Sequence, residues 1–188
     1  MQGSHLIKLV LACGAMLSLP QAVTAQSVSE STIDGSPSTQ QLTSIDRPKL
    51  LKRLGFTPAE KTAVLLVVHK GVHCVHCLSQ LSLLAEREEA FKKAGISLIG
   101  VSAVLPEEDK LNRFREALDI QFPLKCDETS ELIRKLGCQG ADGQQQHGLF
   151  LIDQEGEIRW RMVSEHAFEN SQRIFDVCCE RLKTSRHQ

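Results

Sequence analysis

Residues 62–84 read TAVLLVVHKGVHCVHCLSQLSLL and predict a buried strand that leads through a short loop into a helix. The run 62–69 is continuously apolar and rich in β-branched residues, which is typical of a central strand buried on both faces. The loop is predicted over 70–74, and the helix is predicted to continue to about Ala94 before Gly95 ends it. Two cysteines therefore lie where the strand gives way to the helix.

The elements that follow predict a mixed sheet. A second apolar run, Ile96–Ser102, lies one helix after the first strand, so the two strands form a βαβ unit and should be parallel. Gln154-Glu155-Gly156 between two apolar runs is a hairpin signal. The order predicts an α/β fold in which helices flank a mixed central β-sheet. The other predicted elements are a helix from Pro106, an edge strand over 122–126, a short helix over 129–136, hairpin strands over 149–153 and 157–163, and a last helix over 167–183.

The charge balance excludes two classes of protein. The 188 residues include 22 Lys and Arg against 23 Asp and Glu, which gives a formal net charge of -1. A nucleic-acid-binding protein usually carries a basic surplus on one face, and an acidic disordered chain carries the opposite excess. We therefore expect a folded protein with no nucleic-acid partner.

Residues 1–25 predict a secretory signal peptide. Their apolar run, 9–19, is shorter than the ~20 residues that span a hydrocarbon core, so no integral membrane span is expected. Val23-Thr24-Ala25 supplies small residues for cleavage. Two alternatives stay open, a buried N-terminal helix and a lipobox that would make the protein a lipoprotein through Cys13. We expect an exported protein, periplasmic or secreted, in which disulfides can persist.

The rest of the chain divides into a linker and one domain. Residues 26–45 are rich in Ser, Thr and Gln and predict a flexible linker. Residues 46–188 are long enough for a single folded core. Removal of 1–25 takes Cys13 away, so the mature chain would keep 7 - 1 = 6 of the seven cysteines.

The motif Cys74-Val75-His76-Cys77 predicts a redox-active dithiol. The i, i+3 spacing places both sulfurs on one helical face, close enough for a disulfide. Backbone N–H groups and the positive end of the helix dipole favour the thiolate of Cys74, which should be the nucleophile. Cys77, one turn inside the helix, should be the resolving cysteine. A protonated His76 would stabilise the thiolate and favour an oxidising dithiol, and His73 is a further candidate.

Other uses of the same residues stay open. The pair could be a structural disulfide or an inert buried pair, or the residues could bind zinc or copper. Haem attachment is excluded because it needs a histidine directly after the second cysteine, where this chain has Leu78. No cofactor is expected. The candidate ligands, should a metal bind, are His69, His73, Cys74, His76 and Cys77.

The remaining cysteines predict less. Cys126 and Cys138 flank a predicted short helix and could form a second redox pair. Cys178 and Cys179 are adjacent on the last helix and point about 100° apart, so at most one of them faces the core. Core packing is the default for Cys178.

Four blocks of the chain carry a resemblance to a known family. They are LLVVHKGVHCVHCLSQLSLL (65–84), GISLIGVSA (95–103), FPLKCD (122–127) and HGLFLIDQEGEIRW (147–160). Together they resemble redoxin domains, the peroxiredoxin-like branch of the thioredoxin superfamily, also called alkyl-hydroperoxide-reductase/thiol-specific-antioxidant-like. The resemblance covers about residues 50–180. It implies a thioredoxin-like fold with thiol-based redox chemistry at the loop after the first core strand.

The chain departs from the family's peroxidase pattern, P-x-x-x-(T/S)-x-x-C. Counted back from Cys77, the pattern places Cys74 and Lys70 at the Thr/Ser and Pro positions, and counted back from Cys74 it fails as well. His147 stands where family peroxidases carry an arginine, and it is either a site residue or a solvated loop histidine. No proline follows Pro123, so the cis-proline of thioredoxins is missing too.

These observations predict an exported thiol–disulfide oxidoreductase with a CxxC dithiol. Its partners would be protein thiols or disulfides, or a reducing partner. A thiol peroxidase that reduces hydroperoxides is the first alternative. A copper- or zinc-binding chaperone or redox sensor is the second.

Overall fold

The computed structural model describes residues 42–59 and 61–184. The predicted signal peptide, Cys13 and the predicted linker as far as residue 41 lie outside the described residues. Within the described part, no helix is long and apolar enough to cross a membrane. The elements are α1 Arg47–Arg53, β1 Ala63–Val68, α2 Val75–Ala85, α3 Glu88–Lys93, β2 Ile96–Ser102, α4 Glu108–Ala117, β3 Leu124–Cys126, α5 Glu131–Lys135, β4 His147–Ile152, β5 Ile158–Ser164 and α6 Ser171–Thr184.

The five strands form one mixed sheet in the order β3-β2-β1-β4-β5. β1 is parallel to β2, with Ala63 opposite Ile96 and Val68 opposite Val101, and β2 is parallel to β3. β4 is antiparallel to β1 and to β5. The predicted βαβ unit, edge strand and hairpin are therefore confirmed.

The core consists of two layers, one on each face of the central strand. All six residues of β1 are buried, as the unbroken apolar run predicts. Because side chains alternate along a strand, Leu65 and Val67 pack with α2, α3 and α6, whereas Leu66 and Val68 pack with α1 and α5. Helices flank both faces, and the mixed α/β sheet predicted from the sequence is confirmed.

The predicted helix from the motif to Ala94 is divided in two. α2 ends at Ala85, and Arg87 leaves helical geometry with φ -110° and ψ 5° before α3 begins. The guanidinium of Arg87 donates to the Ser171 hydroxyl at the start of α6, 3.1 Å away. The new direction brings Phe91 edge-on to the ring of Phe175, with centroids 5.1 Å apart. Tertiary contacts with α6 thus override the helical periodicity of this segment.

The fold also includes residues before Asp46. The Thr43 carbonyl accepts from the Ile158 N–H, and the Ile45 N–H donates to the Gly156 carbonyl, each at 2.8 Å. The Ile45 side chain is buried. The sequence assigns these residues to the end of the linker. The packed region in fact begins earlier, because Gly156 in the hairpin turn and Ile158 at the start of β5 offer them backbone partners.

Candidate active site

The motif lies at the carboxyl end of β1, in the loop that leads into α2. Cys74 is the N-cap of α2, and its Sγ accepts the Cys77 N–H at 3.3 Å. A backbone N–H at the start of the helix thus lies against this sulfur. Cys74 is half-buried. Its sulfur therefore combines solvent access with a hydrogen bond that favours negative charge.

Cys77 is the third residue of α2, in its first turn, and is fully buried. Its Sγ accepts the Lys70 N–H at 3.3 Å. Burial raises the pKa of the Cys77 thiol to about 12, and the hydrogen bond with Cys74 adds to this. Cys77 is therefore a protonated thiol at neutral pH and needs a base before it can react.

The base that the structure offers is His147, the first residue of β4. Its Nε2 lies 3.1 Å from Cys77 Sγ and 3.8 Å from Cys74 Sγ. Its Nδ1 lies 3.0 Å from the Glu165 carbonyl oxygen. Because a carbonyl can only accept, Nδ1 carries the proton and Nε2 presents its lone pair to the sulfurs. The Cys77 thiol is thus the donor in the shorter contact.

The electrostatic surroundings keep His147 neutral. Burial lowers the pKa of His147, and the charge of Lys70 lowers it further. The Lys70 ammonium lies 3.4 Å from the Glu165 carbonyl, the same acceptor that orients the ring. A neutral imidazole with a free Nε2 is the form that can accept a proton from a thiol.

The histidines beside the motif lie in other environments. The His76 ring is 78% exposed, and its Nδ1 contacts Glu169 Oε1 at 3.1 Å. His73 is exposed. His69 is fully buried, and its Nδ1 accepts the Gly71 N–H at 3.2 Å. Within the described residues, the imidazole in contact with the two sulfurs is that of His147, and the thiolate-stabilising role of His76 stays a prediction.

The structure brings a different metal-ligating set together from the one that the sequence suggests. Cys74, Cys77 and His147 present ligand atoms that all lie within 4.8 Å of one another. His69, His73 and His76 do not belong to this group. Of the five sequence-predicted ligands, the two cysteines alone belong to it.

The other cysteines are free thiols in unlike surroundings. Cys126, at the exposed end of β3, donates to the Ala103 carbonyl at 3.4 Å. Cys138 is fully buried against Gly148, and burial raises the pKa of Cys138 to about 12. The two thiols form no disulfide in this structure, and their use as a second redox pair stays a prediction. Cys178 packs in the core, as predicted, and its neighbour on the helix is half-buried.

One residue near the motif escapes sequence reasoning altogether. The Gln145 side-chain amide donates to the His69 carbonyl at 2.6 Å and accepts the Ala103 N–H at 3.4 Å. It thereby ties the ends of β1 and β2 to the segment that carries His147. A glutamine in a Gln- and Gly-rich loop gives no signal of this role, because the contact joins residues 76 apart in the chain.

The fold and the site together define a protein with a thioredoxin-like sheet and a dithiol at the start of a helix. Residues 50–161 match the model of the AhpC/TSA family, so the chain belongs to that family. The redoxin resemblance of the sequence is thereby confirmed.

Relatives and solved structures agree with this assignment. The chain is 29% identical to peroxiredoxin Bcp of Escherichia coli K12 over 126 residues, which cover 63% of this chain and 76% of that protein. It is 31% identical to a peroxiredoxin of Thermoplasma volcanium over 102 residues, 52% of this chain and 50% of the other. The Enterococcus faecalis AhpC structure superposes with a TM-score of 0.60 at 14% identity, covering 67% of this chain and 78% of the other. The likeness to that structure shows the fold.

Proposed function

We propose that the protein is a thiol peroxidase in which Cys74 attacks a hydroperoxide and Cys77 resolves the product. The observation that carries this proposal is the shared contact of His147 with a half-exposed and a buried sulfur. Membership of the AhpC/TSA family and the peroxiredoxin relatives support peroxide as the oxidant. They favour this function over the thiol–disulfide oxidoreductase that the motif alone suggests.

The first step takes place at the exposed sulfur. The Cys74 thiolate attacks the terminal oxygen of the hydroperoxide, so an S–O bond forms and the O–O bond breaks. The leaving alkoxide takes a proton from solvent and departs as an alcohol, or as water when the oxidant is hydrogen peroxide. Cys74 is now a sulfenic acid. The helix N-terminus and the Cys77 N–H stabilise the thiolate that starts the step.

The second step uses the buried sulfur and the imidazole. Cys77 transfers its proton to Nε2 of His147, and the new thiolate attacks the Cys74 sulfur. The S–S bond forms, the S–O bond breaks, and the hydroxide takes the proton from the imidazolium and leaves as water. The sum of both steps is one peroxide reduced by two electrons and one dithiol oxidised to a disulfide. An external dithiol then reduces the disulfide by exchange.

A thiol–disulfide oxidoreductase is the second candidate, and one observation favours it. The chain lacks the P-x-x-x-(T/S)-x-x-C pattern in both counting frames, whereas its C-x-x-C at a helix N-terminus suits disulfide exchange. Both functions use the same two sulfurs in the same order. The substrate that oxidises the reduced dithiol faster, a hydroperoxide or a protein disulfide, decides between them.

The test compares cysteine variants in peroxide turnover with a dithiol reductant. We expect Cys74→Ser to lose turnover to the background rate, because serine is not ionised at neutral pH. Cys77→Ser should lose turnover but keep one rapid reaction with peroxide, and a dimedone-type probe should label Cys74 in it. Cys179→Ser, which changes a half-buried thiol on α6, is the matched control and should keep normal turnover. Normal peroxide turnover by Cys74→Ser would overturn the proposal.

Export is part of the proposed role. Residues 1–25 predict a signal peptide, and an oxidising compartment would supply both peroxide stress and disulfide substrates. Detection of the protein in the periplasmic or secreted fraction of its host, with a new N-terminus after Ala25, would support export. Recovery of the unprocessed chain in the cytoplasm alone would contradict it.

A further inference from the structure

The two thiols and the imidazole that meet at the start of α2 are also a suitable ligand set for a metal ion. We propose that the reduced protein binds one soft d10 metal ion, Cu(I) in the first place, through Cys74 Sγ, Cys77 Sγ and His147 Nε2. Thiolate sulfur with imidazole nitrogen is the ligand class that selects Cu(I) or Zn(II) over harder cations. The sequence alone suggests a different set, in which three neighbouring histidines would take the place of His147.

The separations of the three ligand atoms fit a metal between them. With metal–sulfur bonds of about 2.3 Å and metal–nitrogen bonds of about 2.0 Å, a trigonal site requires sulfur and nitrogen to lie about 3.7 Å apart. Nε2 already lies 3.8 Å from Cys74 Sγ and 3.1 Å from Cys77 Sγ. Of these two nitrogen–sulfur contacts, only the second has to lengthen, by a fraction of an ångström. All three ligand atoms lie within 4.8 Å of one another, so the two sulfurs are near enough to share one ion.

The hydrogen bond at Nδ1 of His147 orients the ring so that Nε2 can bind a metal ion. Metal-bound histidines donate their other ring N–H to a carboxylate, a backbone carbonyl or water, which fixes the tautomer. Nδ1 of His147 makes this contact with the Glu165 carbonyl at 3.0 Å. The ring is 2% exposed and enters from β4. The lone pair of Nε2 is therefore held in the direction of the two sulfurs.

Each of the two sulfurs is likewise held by a hydrogen bond from the backbone. Cys74 Sγ accepts the Cys77 N–H and Cys77 Sγ accepts the Lys70 N–H, each at 3.3 Å. Two thiolates and one Cu(I) carry a net charge of -1, and the Lys70 ammonium is the nearby cation, 3.4 Å from the carbonyl that holds His147. Both cysteines bind as thiolates, so binding releases the Cys77 proton and any proton on Cys74, and it involves no change in oxidation state.

The site exists in one redox state of the protein. A Cys74–Cys77 disulfide withdraws both sulfurs from the metal, so the oxidised chain should not bind. A bound metal in turn occupies the lone pair that Cys74 needs for attack on peroxide. Metal binding and peroxide reduction would then exclude each other, and this last consequence rests on the proposed function.

The experiment is an anaerobic competition between the fully reduced full chain and a chromophoric Cu(I) chelator. We expect transfer of one Cu(I) per chain, with the appearance of ultraviolet thiolate-to-copper absorption. Cys74→Ser, Cys77→Ser and His147→Gln should each lower the affinity at least about 10-fold. His73→Gln and His76→Gln should retain the wild-type affinity, because these two rings do not belong to the group formed by Cys74, Cys77 and His147. The peroxide-oxidised chain is a control that needs no substitution and should take up no copper.

Several results of this experiment would contradict the proposed copper site. Equal losses in His76→Gln and His147→Gln, or binding by the oxidised chain, would overturn the proposed ligand set, and no transfer by the reduced chain would overturn the site. A parallel titration with Zn(II) tests the tetrahedral alternative, in which water would be the fourth ligand. Uptake of Zn(II) without Cu(I) would contradict the assignment to Cu(I). Circular dichroism of each variant excludes unfolding, and peroxide turnover measured without added metal distinguishes failure here from failure of the peroxidase.

Discussion

The two sulfurs of the motif differ in solvent access although they lie three residues apart. Cys74 caps the helix and is half-buried, whereas Cys77 lies inside the first turn and is fully buried. The order of attack in the proposed reaction follows from this difference, because only the first sulfur can meet a substrate from solution. The second sulfur is a poor nucleophile until a base removes its proton, and His147 is the base in contact with it.

Replacement of His147 should slow the resolving step more than the attack on peroxide. We expect His147→Gln to lower steady-state peroxide turnover at least about 100-fold, since a general base contributes about 10²- to 10⁴-fold to the rate. Stopped-flow mixing with peroxide should show a sulfenic acid that persists, and turnover should recover in part as pH rises toward the pKa of Cys77, about 12.

A substitution of His166, which is exposed, is the control for the His147→Gln variant. His166→Gln makes the same chemical change two residues after the end of β5 at Ser164. It should leave peroxide turnover unchanged. Equal decay of the sulfenic acid in wild type and His147→Gln would contradict the role of His147 as the base.

His69 should make folding stability depend on pH. Burial lowers the pKa of His69 to about 4, against ~6.5 for histidine in an unfolded chain. Between these values the unfolded state binds more protons, so the free energy of unfolding decreases as pH falls from 6.5 toward 4. The loss from this residue between pH 7 and pH 4.5 is about 2 kcal/mol.

Urea unfolding of the reduced protein at pH 7 and pH 4.5 measures this loss. His69→Asn keeps an acceptor for the Gly71 N–H but does not titrate in this range. We expect the variant to lose about 2 kcal/mol less than wild type over the same interval. Equal losses would show that His69 is not the titrating group.

At the scale of elements, the loop between β1 and α2 depends on a glycine that cannot take a side chain. Gly71 has φ +95°, and a Cβ there would lie 2.9 Å from the Val104 carbonyl oxygen. Its N–H also donates to His69 Nδ1. The residue just before it, Lys70, supplies the N–H that Cys77 Sγ accepts. The conformation of this loop therefore sets the surroundings of the buried sulfur.

A pair of alanine variants separates backbone strain from steric conflict. Gly95 also has a positive φ, +76°, but a Cβ there would meet nothing within 4 Å. Gly95→Ala should cost only the strain of a left-handed residue, about 1 kcal/mol. Gly71→Ala should cost clearly more in urea unfolding and should also slow disulfide formation by Cys77, whose Sγ accepts the Lys70 N–H. Equal costs, or unchanged cysteine reactivity in Gly71→Ala, would refute the steric argument.

Sequence periodicity is sufficient for elements whose signals are local. β1 and β2 follow from unbroken apolar runs, and the two cysteines follow from their place after β1. The same reasoning misses α1, although Asp46 caps it and Pro48 lies in its first turn, because the segment is short and its neighbours are polar. Periodicity also fails to place His147, which the family resemblance alone marks as a candidate and which contacts Cys77 across 70 residues of chain. That contact depends on the pairing of β4 with β1, which no local pattern encodes.

At the scale of the whole molecule, residues 42–45 contribute to the sheet from outside the predicted domain. We expect the fragment 46–188 to be less stable than the fragment 42–188 by about 2 kcal/mol or more, because it loses the buried Ile45 side chain and two backbone hydrogen bonds. Urea unfolding of the two fragments measures the difference directly. Ile45→Ala in the full chain should reproduce most of the loss, and identical unfolding of the two fragments would show that these residues only lie against the sheet.

The attachment of Thr43 and Ile45 to residues 156–158 has a practical consequence. This contact lies at the end of the sheet where Val64 faces Ile152, whereas His147 and the dithiol lie at the end where Val68 faces Gly148. The chain therefore enters its domain on the side remote from the reactive sulfurs. A resin or reporter attached at residue 42 itself would lie at the end of the sheet remote from the dithiol, which stays available to a macromolecular reductant. Immobilisation through that route should leave access to the sulfurs undiminished.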